Sequence, residues 1–236
     1  MKIAVIPARG GSKRIPMKNI KNFSGKPIIA WSIEVAIKSK LFDRVIVSTD
    51  NHEIASIAKQ YGAEVPFIRP EHLSDDYTGT NDVVKHVIQS LYENGEQVSY
   101  ACCIYATAPF VDPKYIINGY QRLINSNNDK SYAFSVTTYS FPVERSFLIN
   151  KSGIIKKIFP KNTVRRSQDL REAYHDAGQF YWGTKNAFLN DLPIFSEHSI
   201  PIILPRYLVQ DIDTIEDWKQ AELMFEAYIS DKDPDI

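Results

Sequence analysis

Short apolar runs and longer amphipathic segments alternate along the 236 residues of the chain. Apolar runs of four to six residues predict buried strands, and apolar residues spaced three or four apart predict helices. The predicted strands cover residues 3–6, 44–49, 64–68, 100–105, 131–140, 179–182 and 201–208. The predicted helices cover residues 27–40, 51–62, 81–92, 113–123 and 215–228. Strands that alternate with helices predict an α/β fold with a mostly parallel sheet.

The alternation is interrupted between about residues 139 and 172. Residues 141–168 are rich in Pro, Lys, Arg and aromatic residues, and Asn150–Gly153 has the composition of a turn. This pattern predicts a hairpin-like excursion that leaves the sheet before the sheet resumes at Gln179. We expect one domain over residues 1–236 that contains this excursion.

Composition excludes several classes of function. The 28 basic and 28 acidic residues balance, so no overall field favours nucleic acid or a membrane surface. No apolar run reaches the roughly 20 residues of a membrane span, and a core strand directly after Met1 leaves no room for a signal peptide. The two cysteines, Cys102 and Cys103, are adjacent in a predicted strand. Since neither a disulfide nor a metal spacing is present, we expect buried thiols in a reducing cytoplasm.

A basic loop follows the first predicted strand. It contains the adjacent glycines Gly10 and Gly11 and four cations within ten residues, namely Arg9, Lys13, Arg14 and Lys18. Ligands of open α/β sheets bind at the carboxyl ends of the strands, and clustered cations with backbone amides suit a polyphosphate. The loop matches neither the Walker motif nor the dinucleotide fingerprint. The alternative is a solvated basic loop without a ligand.

This loop resembles the first motif of the CMP-sugar synthetases, cytidylyltransferases that activate sialic acid and related acids. The family pattern P-A-R-x-G-S-K-x-[ILV]-x-x-K-N is matched by Pro7, Ala8, Arg9, Gly11, Ser12, Lys13, Ile15, Lys18 and Asn19. The resemblance implies that the loop, with Gly10, holds the triphosphate of CTP. A second element of the family, which closes over cytosine and ribose, is matched by Arg69, Pro70, Leu73, Ser74, Asp76 and Thr80. Thr80 is also a candidate N-cap for the following helix.

Two carboxylates follow the last predicted strand. Asp211 and Asp213 are two residues apart, so on an extended segment they point the same way and can bind one hard cation. The resemblance implies that this pair holds Mg²⁺ at the α-phosphate. The alternative is that Asp211 or Thr214 only caps the last helix.

Residues after the predicted strand 100–105 and in the segment 173–183 are candidates for binding the sugar acid. Ala106 stands where sialic-acid members carry glutamine, and Thr107 stands where they carry proline. The run from Tyr105 to Pro109 and the DAGQFYWG stretch instead resemble the branch of the family that activates pseudaminic acid. The candidate sugar-acid residues are Thr107, Arg165, Arg166, His175, Asp176, Gln179 and Tyr181. The alternatives are that His175 has only a structural role and that Arg165 and Arg166 are solvated at the surface.

The resemblance implies a doubly wound, Rossmann-like nucleotidyltransferase fold and CMP transfer from CTP to pseudaminic acid. It implies catalytic roles for Arg9, Lys18, Asp211 and Asp213, with Mg²⁺ as cofactor. It also implies a homodimer formed through the excursion. N-acetylneuraminate, legionaminate and the eight-carbon acid of lipopolysaccharide stay open as substrates. A glycosyltransferase and a catalytically inactive nucleotide-binding protein are the alternatives from other classes.

Overall fold

The computed structural model describes residues 1–127, 129–160 and 166–232. A six-stranded sheet lies at its centre, formed by β1 (Lys2–Pro7), β4 (Arg44–Ser48), β5 (Tyr100–Ile104), β6 (Tyr132–Thr138), β9 (Tyr174–Thr184) and β10 (Ser199–Ile203). Two short hairpins lie outside it: β2 (Asn22–Phe23) with β3 (Lys26–Pro27), and β7 (Phe147–Ile149) with β8 (Ile155–Lys157).

The strand order is β10-β6-β9-β5-β1-β4. Strand β1 runs parallel to both of its neighbours, β4 and β5, and β10 runs parallel to β6. Strand β9 is antiparallel to β5 and to β6. The mostly parallel α/β sheet is therefore confirmed. The chain leaves β1 for β4 on one side and later returns as β5 on the other, so the carboxyl end of β1 lies at a topological switch point.

Helices cover both faces of the sheet. One face carries α1 (Ile28–Lys38), α2 (His52–Gln60) and α4 (Pro113–Ile124), and the other carries α3 (Thr80–Glu93) and α5 (Lys185–Leu189). Apolar residues at helical spacing, such as Ile29 and Ile33 on α1 and Val84 and Val87 on α3, are fully or almost fully buried against the strands. The doubly wound arrangement predicted from the resemblance is confirmed.

The last helix, α6 (Ile215–Lys232), packs on the segment that follows β1. The ring of Phe23 meets Trp218 edge-on at 5.5 Å and Phe225 at 5.3 Å, and Ile15 is buried in the same cluster. This aromatic packing brings the C-terminal segment before α6 next to the basic loop.

Two predicted strands were wrong in extent. Residues 64–68 form no strand, and only Glu64 bridges to Ile46 of β4. The predicted strand 201–208 ends at Ile203, and residues 206–208 form a 3-10 turn after Pro205, which has no N–H for a strand ladder. Strand β9 begins five residues earlier than predicted, at Tyr174, and the short helix α5 was not predicted.

The excursion carries the hairpin β7–β8, as the sequence predicted. The Asn150 side chain accepts hydrogen bonds from the amides of Ser152 (3.0 Å) and Ile154 (2.8 Å), and Gly153 takes φ +78°, which favours glycine. The role of this excursion in dimerisation stays a prediction. Elsewhere, no helix within the described ranges is both long and apolar enough to cross a membrane.

The two cysteines are buried free thiols in β5, as predicted. Burial raises the pKa of both thiols, so they stay protonated and unreactive in the folded chain.

Candidate active site

A cavity of about 600 Å³ opens beyond the carboxyl ends of β1, β4 and β5. The predicted site residues that line it are Arg9, Ser12, Lys13, Lys18, Asn19, Arg69, Asp76, Thr80, Thr107 and Asp213. The structure thus brings most of the predicted nucleotide-binding set to one place, because the loops after parallel strands meet at one edge of the sheet.

Charges tie the loop after β1 to the loop that precedes α3. Asp76 accepts from Arg9 Nη1 at 2.8 Å and also pairs with Lys13 Nζ. Arg9 Nη1 further donates to the carbonyl of Asp75 at 2.5 Å. The hydrogen bond from Lys13, and then the charges of Lys13 and Arg9, lower the pKa of Asp76. These ion pairs are partly exposed, so water and salt screen them.

Three predicted loop residues lie beside the cavity without lining it. The Ala8 side chain is buried in the core, and its amide donates to Ser48 O at 2.9 Å. The amide of Gly10 donates to Asp50 Oδ1 at 2.9 Å, and a Cβ at Gly10 would come within 2.9 Å of the Asn51 side chain. Gly11 is exposed, with no atom near its Cβ position. Gly10 is therefore required by packing against the segment after β4, and these three residues shape the loop through their backbone.

Lys18 lies in the cavity where the basic loop meets the C-terminal segment before α6. Its ammonium group donates to Ile212 O at 2.6 Å and lies 3.4 Å from Asp213 Oδ1. Arg14 contacts the second oxygen of Asp213 at 3.0 Å. Met17 turns the chain with φ 51° just before a short 3-10 turn that begins at Lys18. Lys18 is mostly buried, so its charge is weakly screened.

Asp211 and Asp213 flank the buried Ile212 in a segment without regular secondary structure, and of the two only Asp213 lines the cavity. Although Asp211 is exposed as a residue, the protein atoms around its carboxyl group, and next the charge of Asp213, raise its pKa. The Asp217 carboxylate holds this segment by accepting from the amides of Asp213 (3.1 Å) and Thr214 (2.7 Å), while Thr214 caps α6. Thr214 is therefore a helix cap, as one of the sequence-based alternatives had it.

This carboxylate pair fits a magnesium ion. Two neighbouring carboxylates that repel one another are relieved by a divalent cation, and Mg²⁺ in phosphate sites takes one or two carboxylates besides phosphate oxygens and water. Over the described part of the chain, no group of three or more His, Cys, Asp or Glu side chains is placed to hold a metal. The pair can thus hold the ion only together with a ligand.

Arg69 is a buried cation that faces the cavity. It is 4% exposed, its Nε donates to Ser74 Oγ at 3.1 Å, and its nearest carboxylate oxygen, on Asp50, is 3.9 Å away. Burial and the charge of Arg9 lower its pKa, against the opposite effect of Asp50. A buried charge with so distant a counter-ion is available to a polar ligand.

Two further residues of the predicted CTP-binding set also line the cavity. Asn19 is buried, and its Nδ2 donates to Arg9 O at 2.9 Å. Thr80 is the first residue of α3, whereas the N-cap is Gly79, whose amide donates to Asp82 Oδ2 at 3.0 Å. The capping role predicted for Thr80 was wrong, so its hydroxyl is not used by the helix end.

Four predicted sugar residues lie on β9, outside the cavity. The amide of the buried Gln179 side chain donates to Leu208 O. His175 packs on the Tyr139 ring at 4.8 Å and lines a separate, mainly apolar cavity of about 390 Å³. Asp176 borders that second cavity, and Tyr181 is buried beneath the first. The structure does not bring these four side chains to the nucleotide-binding residues.

Tyr105, at the end of β5, separates Tyr181 from the cavity. The two rings lie 5.5 Å apart and are tilted by 41°. The Tyr181 hydroxyl donates to Asp176 Oδ2 at 2.6 Å. Burial raises the pKa of both tyrosines, so both hydroxyls keep their protons.

The arginines of the excursion are also outside the cavity. Arg166 is exposed and forms a two-point ion pair with Asp169, with distances of 2.9 and 3.3 Å. Arg165 lies outside the residues that the structure describes.

Several cavity-lining residues were not predicted as site residues. They are Pro7, Arg14, Leu73, Asp75, Thr78, Val83, Tyr105 and Ala106. Arg14 belongs to the basic loop, and Tyr105 directly follows β5. Their positions after parallel strands could therefore have indicated that both lie at the cavity. Asp75 and Thr78 face the cavity because Thr78 Oγ1 and two amides hydrogen-bond to the Asp75 carboxylate and fold the loop back.

Comparison with known proteins identifies relatives of the whole chain. A sequence model of a family described as "Cytidylyltransferase" matches residues 3–233. The chain is 43% identical over 225 residues to the pseudaminic acid cytidylyltransferase of Campylobacter jejuni subsp. jejuni serotype O:2, covering 95% of this chain and 96% of that relative. It is 33% identical to the CMP-N,N'-diacetyllegionaminic acid synthase of Legionella pneumophila, covering 95% and 96%.

A solved structure shares the fold. The structure of CMP:2-keto-3-deoxy-manno-octonic acid synthetase complexed with CTP aligns with a TM-score of 0.72 at 16% identity, covering 96% of this chain and 99% of that one. At this identity the likeness supports the α/β fold alone.

Proposed function

Because the chain belongs to the cytidylyltransferase family, we propose that it transfers CMP from CTP to the anomeric hydroxyl of pseudaminic acid, giving CMP-pseudaminate and pyrophosphate. The observation that carries this proposal is the cavity beyond β1, which Arg9, Lys13, Lys18 and Arg69 all line. Cations clustered in this way suit a triphosphate. The 43% identity to a pseudaminic acid cytidylyltransferase supports the choice of sugar acid.

Arg9, Ser12 and Lys13 bind the β- and γ-phosphates in this proposal. Without a nucleotide, Arg9 and Lys13 pair with Asp76. A triphosphate carries more negative charge than one carboxylate, so it replaces Asp76 as their counter-ion. Ala8, Gly10 and Gly11 contribute the backbone shape of the loop.

Asn19, Arg69 and Thr80 bind the nucleoside. Arg69 is held by Ser74, and Asn19 by its bond to the Arg9 carbonyl, so both are ordered before the ligand arrives. The Thr80 hydroxyl is not needed by the helix end. Preorganised polar groups of this kind lose little entropy on binding.

Asp211 and Asp213 are the residues that would hold Mg²⁺. When bound, the ion would supply positive charge that stabilises the charge developing on the α-phosphate. Arg14 and Lys18 contact Asp213, and they keep this carboxylate oriented toward the cavity.

The reaction requires mainly positioning and charge neutralisation. The anomeric oxygen forms a bond to the α-phosphorus, the bond between this phosphorus and the oxygen of the β-phosphate breaks, and the hydroxyl proton passes to solvent. Lys18 lies beside Asp213, so its ammonium group stabilises the added negative charge at the α-phosphate. Arg9 contributes to binding and to rate.

Thr107 and Ala106 line the cavity beside Tyr105 and contact the sugar acid. Ala106 offers no hydrogen bond, which disfavours N-acetylneuraminate relative to pseudaminate. Legionaminate is the second candidate, because the chain is 33% identical to a CMP-N,N'-diacetyllegionaminic acid synthase. No observation favours a glycosyltransferase.

A homodimer is also part of the proposal. Five large apolar side chains of the hairpin β7–β8 and its turn are exposed, namely Phe147, Leu148, Ile149, Ile154 and Ile155. Exposed apolar side chains in such number mark a protein contact, and a second copy would cover them. Arg166 would then bind the sugar carboxylate in the partner's cavity, whereas Arg165, for which the same role was predicted, lies outside the described residues. The buried free thiols support a reducing, cytoplasmic location.

The function is tested by incubating the protein with CTP, Mg²⁺ and a panel of nonulosonic acids while pyrophosphate is measured. We expect turnover with pseudaminate and a product of CMP-sugar mass. ATP, GTP and UTP serve as nucleotide controls. Absence of pyrophosphate with every acid would refute the proposal.

A further inference from the structure

The short segment that follows β4 contacts both the basic loop and Arg69. The carbonyl of Ser48 accepts from the amide of Ala8 at 2.9 Å, which fixes the start of the loop. The next carbonyl, that of Thr49, accepts from the amide of Arg69 at 2.8 Å. Two neighbouring backbone groups therefore tie two separate parts of the cavity wall to the end of one strand.

The side chain of Asp50 repeats this double contact through a single atom. Its Oδ1 accepts from the Gly10 amide at 2.9 Å, and the same oxygen lies 3.9 Å from Arg69 Nη2. No other carboxylate of the described residues forms an ion pair with Arg69. Asp50 itself does not line the cavity, so it can act on a ligand only through the groups that it holds.

Asp50 lies between the end of β4 and a capped helix. The next residue, Asn51, caps α2, because its Oδ1 accepts from the amides of Glu53 (2.9 Å) and Ile54 (3.0 Å). The loop packs directly on this cap, since a Cβ at Gly10 would come within 2.9 Å of the Asn51 side chain. The Asp50 carboxylate is therefore fixed before a ligand arrives.

Arg69 needs this carboxylate because its charge is buried. Its side chain is only 3% exposed, and a buried guanidinium without a counter-ion is unfavourable. Burial lowers the pKa of Arg69, whereas the charge of Asp50 raises it. A distance of 3.9 Å is too long for a hydrogen bond. Asp50 thus compensates the charge of Arg69 without occupying one of its donors.

We propose that Asp50 is a positioning residue that holds the basic loop and Arg69 in one frame, the loop by a hydrogen bond and Arg69 by charge. The proposal rests on the proposed function, in which the loop binds the phosphates and Arg69 binds the nucleoside. It adds a residue outside the cavity that sets the two parts of the nucleotide site relative to one another. Because the two contacts differ in kind, one substitution can remove one of them and keep the other.

Asp50→Asn separates the two contacts. The asparagine carbonyl oxygen still accepts from the Gly10 amide, but the negative charge beside Arg69 is lost. We expect the affinity for cytidine, which has no phosphate, to fall about fivefold to tenfold, because a buried cation without its counter-ion is no longer held in place. The affinity for inorganic tripolyphosphate, which needs only the loop, should change by less than about twofold, because its partly exposed cations are screened.

Asp50→Ala removes both contacts. We expect the affinities for cytidine and for tripolyphosphate each to fall about fivefold or more, since the Gly10 amide also loses its acceptor. Asp43→Asn is the matched control, because Asp43 likewise accepts from a backbone amide, that of Lys2 at 2.5 Å, but at the amino end of β4. This control should change neither affinity by more than about twofold. All affinities are measured at equilibrium, without a sugar acid.

A double-mutant cycle with Arg69 tests the pairing without any ligand. Asp50→Asn alone should lower the temperature of thermal unfolding by about 3 to 6 °C, because the buried guanidinium loses its counter-ion. In the background of Arg69→Met, where no charge has to be compensated, the same substitution should lower it by less than about 1 °C. Equal shifts in the two backgrounds would overturn the proposed pairing. The same unfolding curves show that each variant is folded.

The outcomes distinguish this inference from the proposed function. Binding requires no turnover, so absence of pyrophosphate with every acid would refute the proposed function, and the affinities of the variants would still decide the role of Asp50. An unchanged affinity for cytidine in Asp50→Asn, or equal losses for cytidine and tripolyphosphate, would refute the inference alone. So would an unchanged affinity for tripolyphosphate in Asp50→Ala. A wild type that binds neither compound would refute both.

Discussion

The two ends of the cavity use polar groups in opposite ways. At the end that we propose for the phosphates, Arg9, Lys13 and Arg14 pair with carboxylates that are themselves partly exposed, and these pairs exchange partners at small cost. On the β5 side of the cavity, Tyr105 packs against the buried Tyr181, whose hydroxyl donates to Asp176 Oδ2 at 2.6 Å. The first end suits a highly charged ligand that must bind and leave, and the second suits discrimination between similar neutral groups.

Lys18 and Asp213 combine features of both ends. Lys18 is charged, but its side chain is only 19% exposed, and a backbone carbonyl fixes its direction. A charge held in this way needs no reorganisation during the reaction, so its effect on the rate exceeds that of an exposed cation. The predictions below test this contrast, beginning with the largest effect.

The Asp213 carboxylate should be nearly indispensable. Asp213→Ala removes one of the two proposed metal ligands, and losing several kcal/mol of charge stabilisation lowers kcat by about a thousandfold or more. Pyrophosphate release measures the effect, and EDTA should abolish wild-type activity until Mg²⁺ is restored. Asp129→Ala, which removes an exposed carboxylate paired with Lys130, is the control. Full activity of the wild type in excess EDTA would contradict the metal site.

Lys18→Ala should lower kcat and kcat/KM together, by about a hundredfold to a thousandfold. Equal losses in both constants indicate an interaction made mainly in the transition state. The comparison is Lys13→Ala, which removes a largely exposed cation and should mainly raise the KM for CTP. If Lys18→Ala raised only that KM, Lys18 would be a binding residue and the contrast between the two lysines would disappear.

At the neutral end, kcat/KM for pseudaminate should exceed that for N-acetylneuraminate by about a hundredfold or more, or roughly 3 kcal/mol. The reason is that Ala106 offers no partner to a polar group that the neuraminate enzymes are expected to bind. Parallel measurements on both acids with CTP saturating give the ratio. Equal turnover of the two acids would contradict the assignment of the sugar and leave cytidyl transfer standing.

Asp76→Asn should have a small effect and, unlike the other substitutions, should improve the binding of CTP. It removes the carboxylate that competes with phosphate for Arg9 and Lys13, so the KM for CTP falls about threefold at low salt. The gain should vanish near 1 M salt, where exposed charges are screened within about 3 Å. A tenfold rise in the KM would indicate that Asp76 contacts the nucleotide directly.

The sequence predicted the position of the basic loop at the cavity because local signals determine it. A buried strand followed by a basic loop places Arg9, Lys13 and Lys18 at the carboxyl edge of a parallel sheet, whatever the rest of the chain does. The five long helices were also predicted, since their apolar residues recur at helical spacing. The segment 64–68 misled because an apolar run of that length is typical of a strand, yet only one residue pairs with β4.

The sugar side could not be predicted in the same way. Strand β9 runs antiparallel to its neighbours, and its pairing with β6 shifts register between Phe134 and Val136. Which of its side chains reach the cavity depends on that register and on Tyr105, which comes from another strand. Asp176 and Tyr181 were therefore singled out on composition, while the path from them to the cavity depends on contacts between residues more than 70 positions apart.

The bond from Lys18 to the carbonyl of Ile212 joins residues 194 positions apart, and this has a consequence for biosynthesis. A ribosome adds about 5 to 20 residues per second, so roughly 10 to 40 s pass between the two partners. The first strands can pair in that interval, but Arg14 and Lys18 do not yet have Asp213 as their partner. A nascent chain that ends before Asp213 lacks one of the two proposed metal ligands, so we expect activity only after residue 213 has been synthesised.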